Sequence, residues 1–566
     1  MLATAATYYI DFPAGSDANN GTATNAAWQH CPGDAKATGI PATTPLAAGD
    51  TVIFRGGVSY TNSITVKWSG TTGNPITYDG NSAETWGTGK AILDGMYLLT
   101  NGVPGYPNYG ANFILLNRAN VTIRNFQIQH TGGVPMNSYT NYSYPANVLP
   151  NVYGIGVWIV DSTNILVANS LIQEMGYWTN NFPVNTDKTG QNGMGIKLCS
   201  VVNVMVTNCA FHRMAYCIGI NSGYPASGTV CSNIVISSCD FSHYINWMIT
   251  ISPSSPSVTL GNILITNNAF HDAWETTSAY WWGGGSNANN GGGFPHFDGI
   301  FMGLANLPNI VYTNIVVAAN KFYWNNTNGG GTAWIFLSCM GGDVSILNNV
   351  CVNNYNSYGF VYVQDGPFAT NNVTPINFKI YNNTVAGPNC GFYERWTSPA
   401  NGGDPGRGTI RVKNNIFYIV NTNTFSVPIN IQDTTNGPKE LDYNLYYVKE
   451  TYNQDVILSW YTNSTHLYAG LYDVKGIGYE QHGIEANPQF VDFSYGLGFN
   501  SSLNNLHLQT NSPAIGAGAN LSAVFSTDKD GILRPASGAW DIGAYDPSVQ
   551  GVQKLSPPTG LKIIGP

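Results

Sequence analysis

A short repeated pattern constrains the fold of this chain more than any other feature. Most copies begin with Asn, two apolar residues follow with one residue between them, and an apolar residue ends the copy. Such alternation indicates strands, and repetition at irregular spacing indicates a solenoid with loops of different length inserted in each turn. The copies are residues 120–128, 164–172, 203–211, 233–241, 262–270, 314–322, 343–351, 377–385 and 409–417, with a weaker one at 441–446.

The leading Asn has a physical reason, because Asn tolerates the left-handed backbone of a tight bend and can hydrogen-bond from coil to coil. Between residues 154 and 400 each turn carries a second strand, whose outward places are often Gly and would leave a shallow floor. Cys209 and Cys239 occupy one column of adjacent copies, so we expect them to stack inside as small apolar groups. A second Asn column comprises Asn268, Asn320, Asn349, Asn383 and Asn415.

Composition excludes several classes of protein. With 43% hydrophobic and 9% charged residues, the chain is not disordered. A net charge of −9 without a basic stripe argues against nucleic acid as a partner. No apolar run is long enough to cross a bilayer, and the surface composition favours a secreted or cell-surface protein whose leader has been removed. We predict an N-terminal cap at 1–75, a β-helix at 76–446, and C-terminal coils, cap and tail at 447–566.

The two ends of the chain carry a family resemblance. Residues 8–21 followed by 49–60 resemble the start of many bacterial right-handed parallel β-helix proteins, and the Asn-led repeat is similar to that of the pectate-lyase-like superfamily. Residues 512–518 and 541–546 resemble the closing segment of secreted bacterial β-helix proteins. The resemblance implies an all-β fold, a single-stranded right-handed parallel β-helix of roughly ten or more coils with terminal caps. This superfamily contains lyases, hydrolases, epimerases and adhesins, so the resemblance implies a fold rather than an activity.

Ionisable residues cluster two places after the last apolar position of successive copies, and the place before adds two histidines. Strands of adjacent coils lie about 4.8 Å apart, so these side chains should form one row beside the strand that carries Lys197. In a chain so poor in charge, the row is the sharpest local signal. The two columns contain His130, Glu174, Arg213, His243 and Asp272, and His212 and His271.

The row predicts a polysaccharide groove with two possible chemistries. In β-elimination of a uronate polymer, a base removes the proton next to the carboxylate and a cation stabilises the resulting charge, and Lys197, His212, Arg213 and His243 could serve. Hydrolysis needs two carboxylates, for which Asp272 and Asp298 are candidates. Bound Ca²⁺ is left open, with Glu174 and Asp187 as its candidate ligands. Further candidates for substrate contact are Trp158, Glu174, His271, Trp281, Trp282, His296, Tyr393 and Arg395.

Other interpretations stay open at this point. Arg213 could pair with Glu174 or Asp240 as a structural ion pair, and a histidine beside a ladder is often a surface or turn residue. We favour an extracellular lyase of an acidic polysaccharide, with a glycoside hydrolase as the first alternative. A non-catalytic adhesin or filament protein is the second, because Tyr, Asn and Gly are abundant. The sequence is also compatible with a homo-oligomer.

Overall fold

A computed structural model of the protein describes most of the chain. It forms two compact units, Met1–Val258 with Ala273–His296, and Thr259–Asp272 with Phe297–Pro566. The described residues are 5–99, 109–132, 153–176, 193–221, 230–253, 259–273, 298–303, 311–324, 332–338, 341–352, 358–365, 376–387, 389, 391–396, 408–420, 427–432, 439–449, 456–461, 465–494 and 504–546.

The predicted parallel β-helix is confirmed, because in each unit the strands of one coil pair in parallel with those of the next. In the first unit the pairing forms three ladders. The first contains Thr7–Ile10, Thr51–Phe54, Ile76–Asp79, Ala119–Arg124, Thr163–Ala168, Val202–Thr207 and Val230–Ser237. The second contains Ser59–Tyr60, Ala91–Asp94, Phe126–Gln129 and Leu171–Gln173, and the third Ile64–Val66, Tyr109–Leu116, Tyr153–Val160 and Gly193–Cys199. Ala210–Asn221 and Asp240–Ile251 run through both the second and the third ladders.

The second unit repeats this arrangement. Its first ladder contains Thr259–Thr266, Val311–Ala318, Gly341–Leu347, Ile376–Tyr381, Gly408–Lys413 and Lys439–Asp442. The second contains Ala269–Ala273, Lys321–Tyr323, Val350–Val352, Thr384–Gly387, Ile416–Val420, Leu445–Lys449 and Ile484–Glu485. The third contains Asp298–Met302, Ile335–Ser338, Val361–Asp365, Phe392–Trp396, Ile429–Gln432 and Val456–Tyr461.

A few elements lie outside these ladders. Val456–Tyr461 also pairs antiparallel with Thr465–Ala469, and Phe490–Asp492 with Asn505–Leu508. The described helices are short: a 3₁₀ turn at Thr24–Ala26 and α-helices at Gly39–Thr43 and Gly470–Gly476. In the described part of the chain, no helix has the length and apolar character needed to cross a membrane.

Each copy of the repeat bends in the middle, which corrects the expectation of two strands per coil. Residues 164–172 begin in the first ladder and end in the second, and Asn169 between them has φ 53°. Asn208 and Asn125 hold the same place in neighbouring coils with φ 52° and 63°. Asn adopts the left-handed conformation more readily than most residues, so it marks a corner here.

The leading asparagines lie on the outside of the first ladder. Asn164 donates to Asn120 at 3.1 Å, Asn203 to Asn164 at 3.0 Å and Asn233 to Asn203 at 3.0 Å. All four have φ between 54° and 58°. The left-handed backbone turns each amide along the stacking direction, where it can bond the same residue of the adjacent coil.

The second Asn column forms a buried ladder inside the second unit. Asn320 donates its side-chain amide to Asn349 Oδ1, Asn349 to Asn383 and Asn383 to Asn415, each at 3.0 Å. Asn444 follows Asn415 and donates to Glu480 Oε1 at 2.6 Å. The ladder therefore ends on a carboxylate.

Cysteines take the equivalent interior place in the first unit. Cys209 and Cys239 are buried, as the stacked arrangement predicted, and neither forms a disulfide. Each thiol lies near the carbonyl oxygen of the residue two places before it, at 3.4 Å from Thr207 and 3.3 Å from Ser237. A small apolar group with a weak donor suits this position.

The C-terminal segment packs on the second ladder of the second unit. Ile542 and Ala544 join the same buried cluster as Val350 and Ile416. The backbone oxygens of Asp541 and Gly543 accept hydrogen bonds from Asn382, both at 3.0 Å. Residues near the chain's end thus tie successive coils together.

Candidate functional site

The predicted row lies at the corner between the second and third ladders. In the first unit its members His130, Glu174, Arg213 and His243 have φ between 52° and 57°. A left-handed conformation is unfavourable for residues other than Gly and Asn, and costs on the order of 1–3 kcal/mol. Asp161, Ser200 and Ser238 adopt the same conformation at other corners of this unit, so the succession of ionisable residues, and not the backbone conformation, makes this corner the candidate site.

His130 lies between two carboxylates. Its Nδ1 is 3.0 Å from both carboxylate oxygens of Asp94, and its Nε2 is 2.8 Å from Glu174 Oε2. The other oxygen of Glu174 accepts a hydrogen bond from Arg213 at 3.1 Å. Two acids and two bases thus alternate across adjacent coils, with a formal charge near zero when His130 is protonated.

The alternation changes the acidity of each member. Partial burial lowers the pKa of His130, but the hydrogen bonds to Asp94 and Glu174 outweigh it and raise the pKa to about 9. The hydrogen bond from His130 lowers the pKa of Glu174, and the bond from Arg213 adds to this. Burial raises the pKa of Asp94, but the hydrogen bonds from His130 and Gln129 outweigh it, so the pKa of Asp94 is lowered as well. At neutral pH the row therefore contains an imidazolium between two carboxylates.

Glutamines and a histidine pair extend the row along the second ladder. Gln129 donates to Asp94 at 2.8 Å, and Gln173 donates to Gln129 at 3.0 Å. In register with Gln173 stands His212, whose Nδ1 is 3.1 Å from Ser242 Oγ. The rings of His212 and His243 lie 4.3 Å apart between centroids. The structure thus brings His212, Arg213 and His243 together, as the repeat predicted.

Lys197 lies elsewhere, on the outward face of the third ladder. Its ammonium is 5.2 Å from the ring centroid of Tyr109 and 5.4 Å from that of Trp158. Burial lowers the pKa of Lys197. Trp158 is itself fully buried among Ile114, Tyr109 and Lys197, so its ring forms the base of this cluster.

The sequence predicted that outward-facing glycines form a shallow floor beside Lys197, and this prediction is wrong for two of them. A Cβ on Gly156 would lie 3.2 Å from Ile172 Cγ2, and one on Gly195 would lie 3.0 Å from Phe211 Cδ1. Both glycines therefore face the core, where a side chain would clash. Gly219, in register with Lys197, remains beside the lysine.

In the second unit, Asp272 also has a left-handed backbone, with φ 46°. Its Oδ2 lies 2.9 Å from His271 Nδ1, and the His271 ring stacks on Tyr323 with centroids 4.7 Å apart. Asp298, at the start of its strand, is fully buried and accepts a hydrogen bond from the Ala333 backbone at 2.9 Å. Asp298 therefore holds the backbone of Ala333 at the start of its third-ladder strand.

Tyr393 belongs to an aromatic stack on the third ladder of the second unit. Its ring is 5.2 Å from Tyr362 and 5.3 Å from Tyr358, in parallel orientation. Arg395, two residues further on, is close enough to interact electrostatically with Tyr362. Since Tyr393 and Tyr362 are buried, they contact each other rather than a ligand in this state.

Several predicted residues lie outside the described part of the chain, namely Asp187, Trp281, Trp282 and His296. Among the described residues, no group of three or more His, Cys, Asp or Glu side chains could hold a metal ion. The Ca²⁺ expectation for Glu174 and Asp187 therefore stays a prediction without a described ligand set.

Asp94 is the functional candidate that the repeat analysis missed. It stands one coil before the first recognised copy, in register with Gln129. Extending the repeat backwards to residues 91–94, Ala-Ile-Leu-Asp, would have found it, because this strand keeps an apolar residue at the inward places. This segment lacks a leading Asn, so it was not recognised as a copy of the repeat.

No protein-family model matches this chain, and no curated protein sequence matches it. Solved structures resemble it at low sequence identity. Pectate lyase Pel9A is 13% identical over 96% of this chain and 97% of that chain, with a TM-score of 0.43. A rhamnogalacturonan lyase is 14% identical over 77% and 87%, with a TM-score of 0.46. A GH136 lacto-N-biosidase from Eubacterium ramulus is 14% identical over 82% and 68%, with a TM-score of 0.43. The fold predicted from the family resemblance is confirmed by the strand pairing described above, and no particular activity family is identified.

Proposed function

We propose that this protein is a secreted carbohydrate-active enzyme that cleaves an acidic polysaccharide by β-elimination. The observation that carries the proposal is the corner row of the first unit, where Arg213 and the His130 imidazolium are fixed by carboxylates next to a histidine pair. The row offers both of the groups that this reaction requires, a cation and a base.

The cations suit a uronate carboxylate. The Arg213 side chain is 35% exposed and Glu174 orients its guanidinium, which matches the two oxygens of a carboxylate. Neutralising that carboxylate favours removal of the proton from the adjacent carbon, because the negative charge that develops is spread onto the carboxylate oxygens. As the carbon–carbon double bond forms, the bond to the glycosidic oxygen breaks and that oxygen takes up a proton.

His212 is our candidate for the base. Ser242 holds its Nδ1, and its strand places it directly before Arg213. A neutral imidazole accepts a proton efficiently near neutral pH. The neighbouring His243, with its ring 4.3 Å away, is the candidate for returning a proton to the leaving oxygen.

Lys197 is better suited to bind substrate than to remove the proton. It is in register with Gly219, which follows Arg213 by six residues on the same strand (219 − 213 = 6). At about 3.3 Å per residue the separation is up to about 20 Å, a distance of several sugar rings. Lys197 and Tyr109, packed over the buried Trp158, would form a more remote subsite for an acidic sugar.

Hydrolysis receives less support from the described carboxylates. A glycosidase needs one carboxylic acid with a raised pKa to protonate the leaving group. The pKa values of Glu174 and Asp94 are both lowered by His130, so these groups are ionised at neutral pH. Asp298 is fully buried, which separates it from a polymeric substrate.

The test is incubation with a panel of acidic and neutral polysaccharides, with simultaneous measurement of new ultraviolet absorbance and new reducing ends. Elimination gives both signals, because each cleavage creates an unsaturated uronate and a reducing end. We expect Arg213→Ala to lower kcat/KM by about 100- to 1000-fold and His212→Ala by about 100- to 10 000-fold.

Arg124→Ala is the matched control, because Arg124 is 41% exposed and pairs with Asp79 at 2.7 Å on the first ladder. It should retain activity. Reducing ends without absorbance would replace elimination by hydrolysis. Neither signal on any polymer, with or without Ca²⁺, would overturn the proposal.

A further inference from the structure

A cleft in the C-terminal part of the second unit has the composition of a small ligand site and lies outside the row described above. It has a volume of about 260 Å³. Ligand pockets in proteins begin at about 300 Å³, so this cleft suits a single small ring rather than a long polymer segment. Its lining residues are Tyr418, Asn487, Gln489, Phe490, Phe493 and Gln509.

The apolar part of the cleft is a fixed aromatic wall. Tyr418 and Phe493 contact each other edge to face, with centroids 4.9 Å apart and planes at 73°. Phe490 meets Phe493 at 5.9 Å and 77°, and Tyr418 at 5.8 Å. Tyr418 and Phe490 are buried, so they support the partly exposed Phe493, which is the ring of this cluster that a ligand can reach.

The polar part consists of carboxamides held by the backbone. Gln509 donates its side-chain amide to Phe490 O at 2.8 Å, which leaves its carbonyl oxygen as an acceptor beside the cleft. Asn487 accepts the Gln489 backbone N–H at 2.9 Å, and the Gln509 backbone N–H bonds Gln489 O at 2.9 Å.

Gln489 is the member whose side chain is available. Its backbone is left-handed with φ 55°, a conformation that the two bonds around it maintain. Within the described residues its carboxamide has no hydrogen-bond partner. The exposed lining is mostly polar and carries no charged side chain, so it provides donors and acceptors for hydroxyl groups, with the partly exposed Phe493 as its apolar contact.

We infer that this cleft binds one neutral sugar ring, independently of the acidic polymer proposed for the first unit. An uncharged lining neither attracts nor repels a uronate strongly, whereas hydroxyl groups match the amides directly. The cleft would then anchor the protein to a neutral glycan, or to a neutral branch of its substrate, without taking part in cleavage.

The test is direct binding to the intact protein, with the methyl glycosides of glucose, galactose, mannose and xylose as probes and sodium glucuronate as the charged comparison. Ligand-observed NMR and titration calorimetry suit the affinity expected for a single ring, on the order of millimolar. We expect saturable binding of at least one neutral glycoside, and at least tenfold weaker binding by Gln489→Ala and Phe493→Ala.

Two variants serve as controls. Gln481→Ala removes an exposed carboxamide, and Tyr472→Ala removes a ring that is 88% exposed, and neither residue lines the cleft. Both should bind as the wild type does, and unchanged thermal unfolding would show that all four variants are folded. The inference would be overturned if no neutral glycoside bound saturably, or if Gln489→Ala and Phe493→Ala both bound with the affinity of the wild type. Because no turnover is measured, these outcomes are independent of whether the elimination activity exists.

Discussion

His130 and Glu174 are 44 residues apart in the chain, yet His130 Nε2 lies 2.8 Å from Glu174 Oε2. The contact exists because both residues occupy the same left-handed corner of adjacent coils. It links the proton on His130 to the orientation of Arg213, which bonds the other oxygen of Glu174. Protonation and substrate binding at the row should therefore be coupled.

Glu174→Gln tests this link. The substitution removes a negative charge from His130, so we expect the pKa of His130 to fall from about 9 towards its ordinary value of 6.5. NMR titration of the imidazole carbons measures it. Glu440→Gln, which removes a carboxylate paired with Arg411 in the second unit, should leave that titration unchanged. An unaltered His130 pKa in Glu174→Gln would contradict the coupling.

The same pKa predicts a pH dependence of stability. Since the pKa of His130 is raised from 6.5 to about 9 in the folded state, its stabilisation is complete below pH 6.5 and disappears as the pH rises through about 9. Thermal unfolding between pH 6 and pH 10 should show a decline that is smaller in His130→Gln. A decline of equal size in both proteins would show that His130 does not cause it.

Glu480 should give a second dependence at lower pH. Burial raises the pKa of Glu480 from 4.5 to about 7, against the opposing hydrogen bonds from Tyr446 and Asn444. The folded state thus retains a proton that the unfolded state loses, so stability should decrease as the pH rises from 4.5 to 7. Glu480→Gln cannot titrate and should flatten this part of the curve. A slope that persists in the variant would assign the effect to another group, of which Asp541, with its pKa raised to about 6, is the first to test.

The buried Asn ladder should be sensitive to the loss of one member. In Asn349→Ala, the backbone N–H and the side-chain amide of Asn320 both lose Asn349 Oδ1 as their acceptor, whereas Asn383 Oδ1 loses only its side-chain donor and keeps the backbone N–H of residue 349. Leaving buried polar groups unsatisfied costs about 1–3 kcal/mol per group, and chemical denaturation measures the change in free energy of unfolding. Asn377→Ala, in which the removed amide bonds Asp343 at the partly exposed outer face, should cost less. Equal losses would show that burial of the ladder adds nothing.

Lys197→Met separates binding from proton removal. If Lys197 binds a remote sugar, KM for long acidic polymers should rise about tenfold while kcat changes little, because the interaction is equal in ground and transition states. Short oligomers should be unaffected. A large fall in kcat with an unchanged KM would instead make Lys197 the base and displace His212.

Much of the fold was predictable because the repeat records it directly. The apolar pairs of each copy, such as Ile165/Val167 and Val204/Val206, are in register in the structure. The corner within each copy was not predicted, because alternation alone predicts one strand per copy, whereas the buried places change phase at Asn169, from Ile165 and Val167 to Ser170 and Ile172. Strict alternation through its strand predicts that Gly156 faces outward, whereas a Cβ at this position would meet Ile172 in the core.

The candidate site was predictable in its membership but not in its pairing. His130, Glu174, Arg213 and His243 could be found by column, because one place per coil translates into one row. Which carboxylate binds which base depends on side-chain length and on the coil before the first clear copy, where Asp94 lies. The aromatic contacts of Lys197 join residues of three coils, and no spacing in the sequence encodes them.

The corner of the row has a further consequence for how such a protein can evolve. At this corner two strands, Ala210–Asn221 and Asp240–Ile251, pass directly from the second ladder to the third. In two other coils a long stretch of chain separates the end of the second-ladder strand, at Gln129 or Gln173, from the start of the third-ladder strand, at Tyr153 or Gly193. Strand pairing on both sides is the same in either case. The same strand pairing thus accommodates connections of different length at this point, and exchange of such segments during descent could bring new specificities beside an unchanged set of charges.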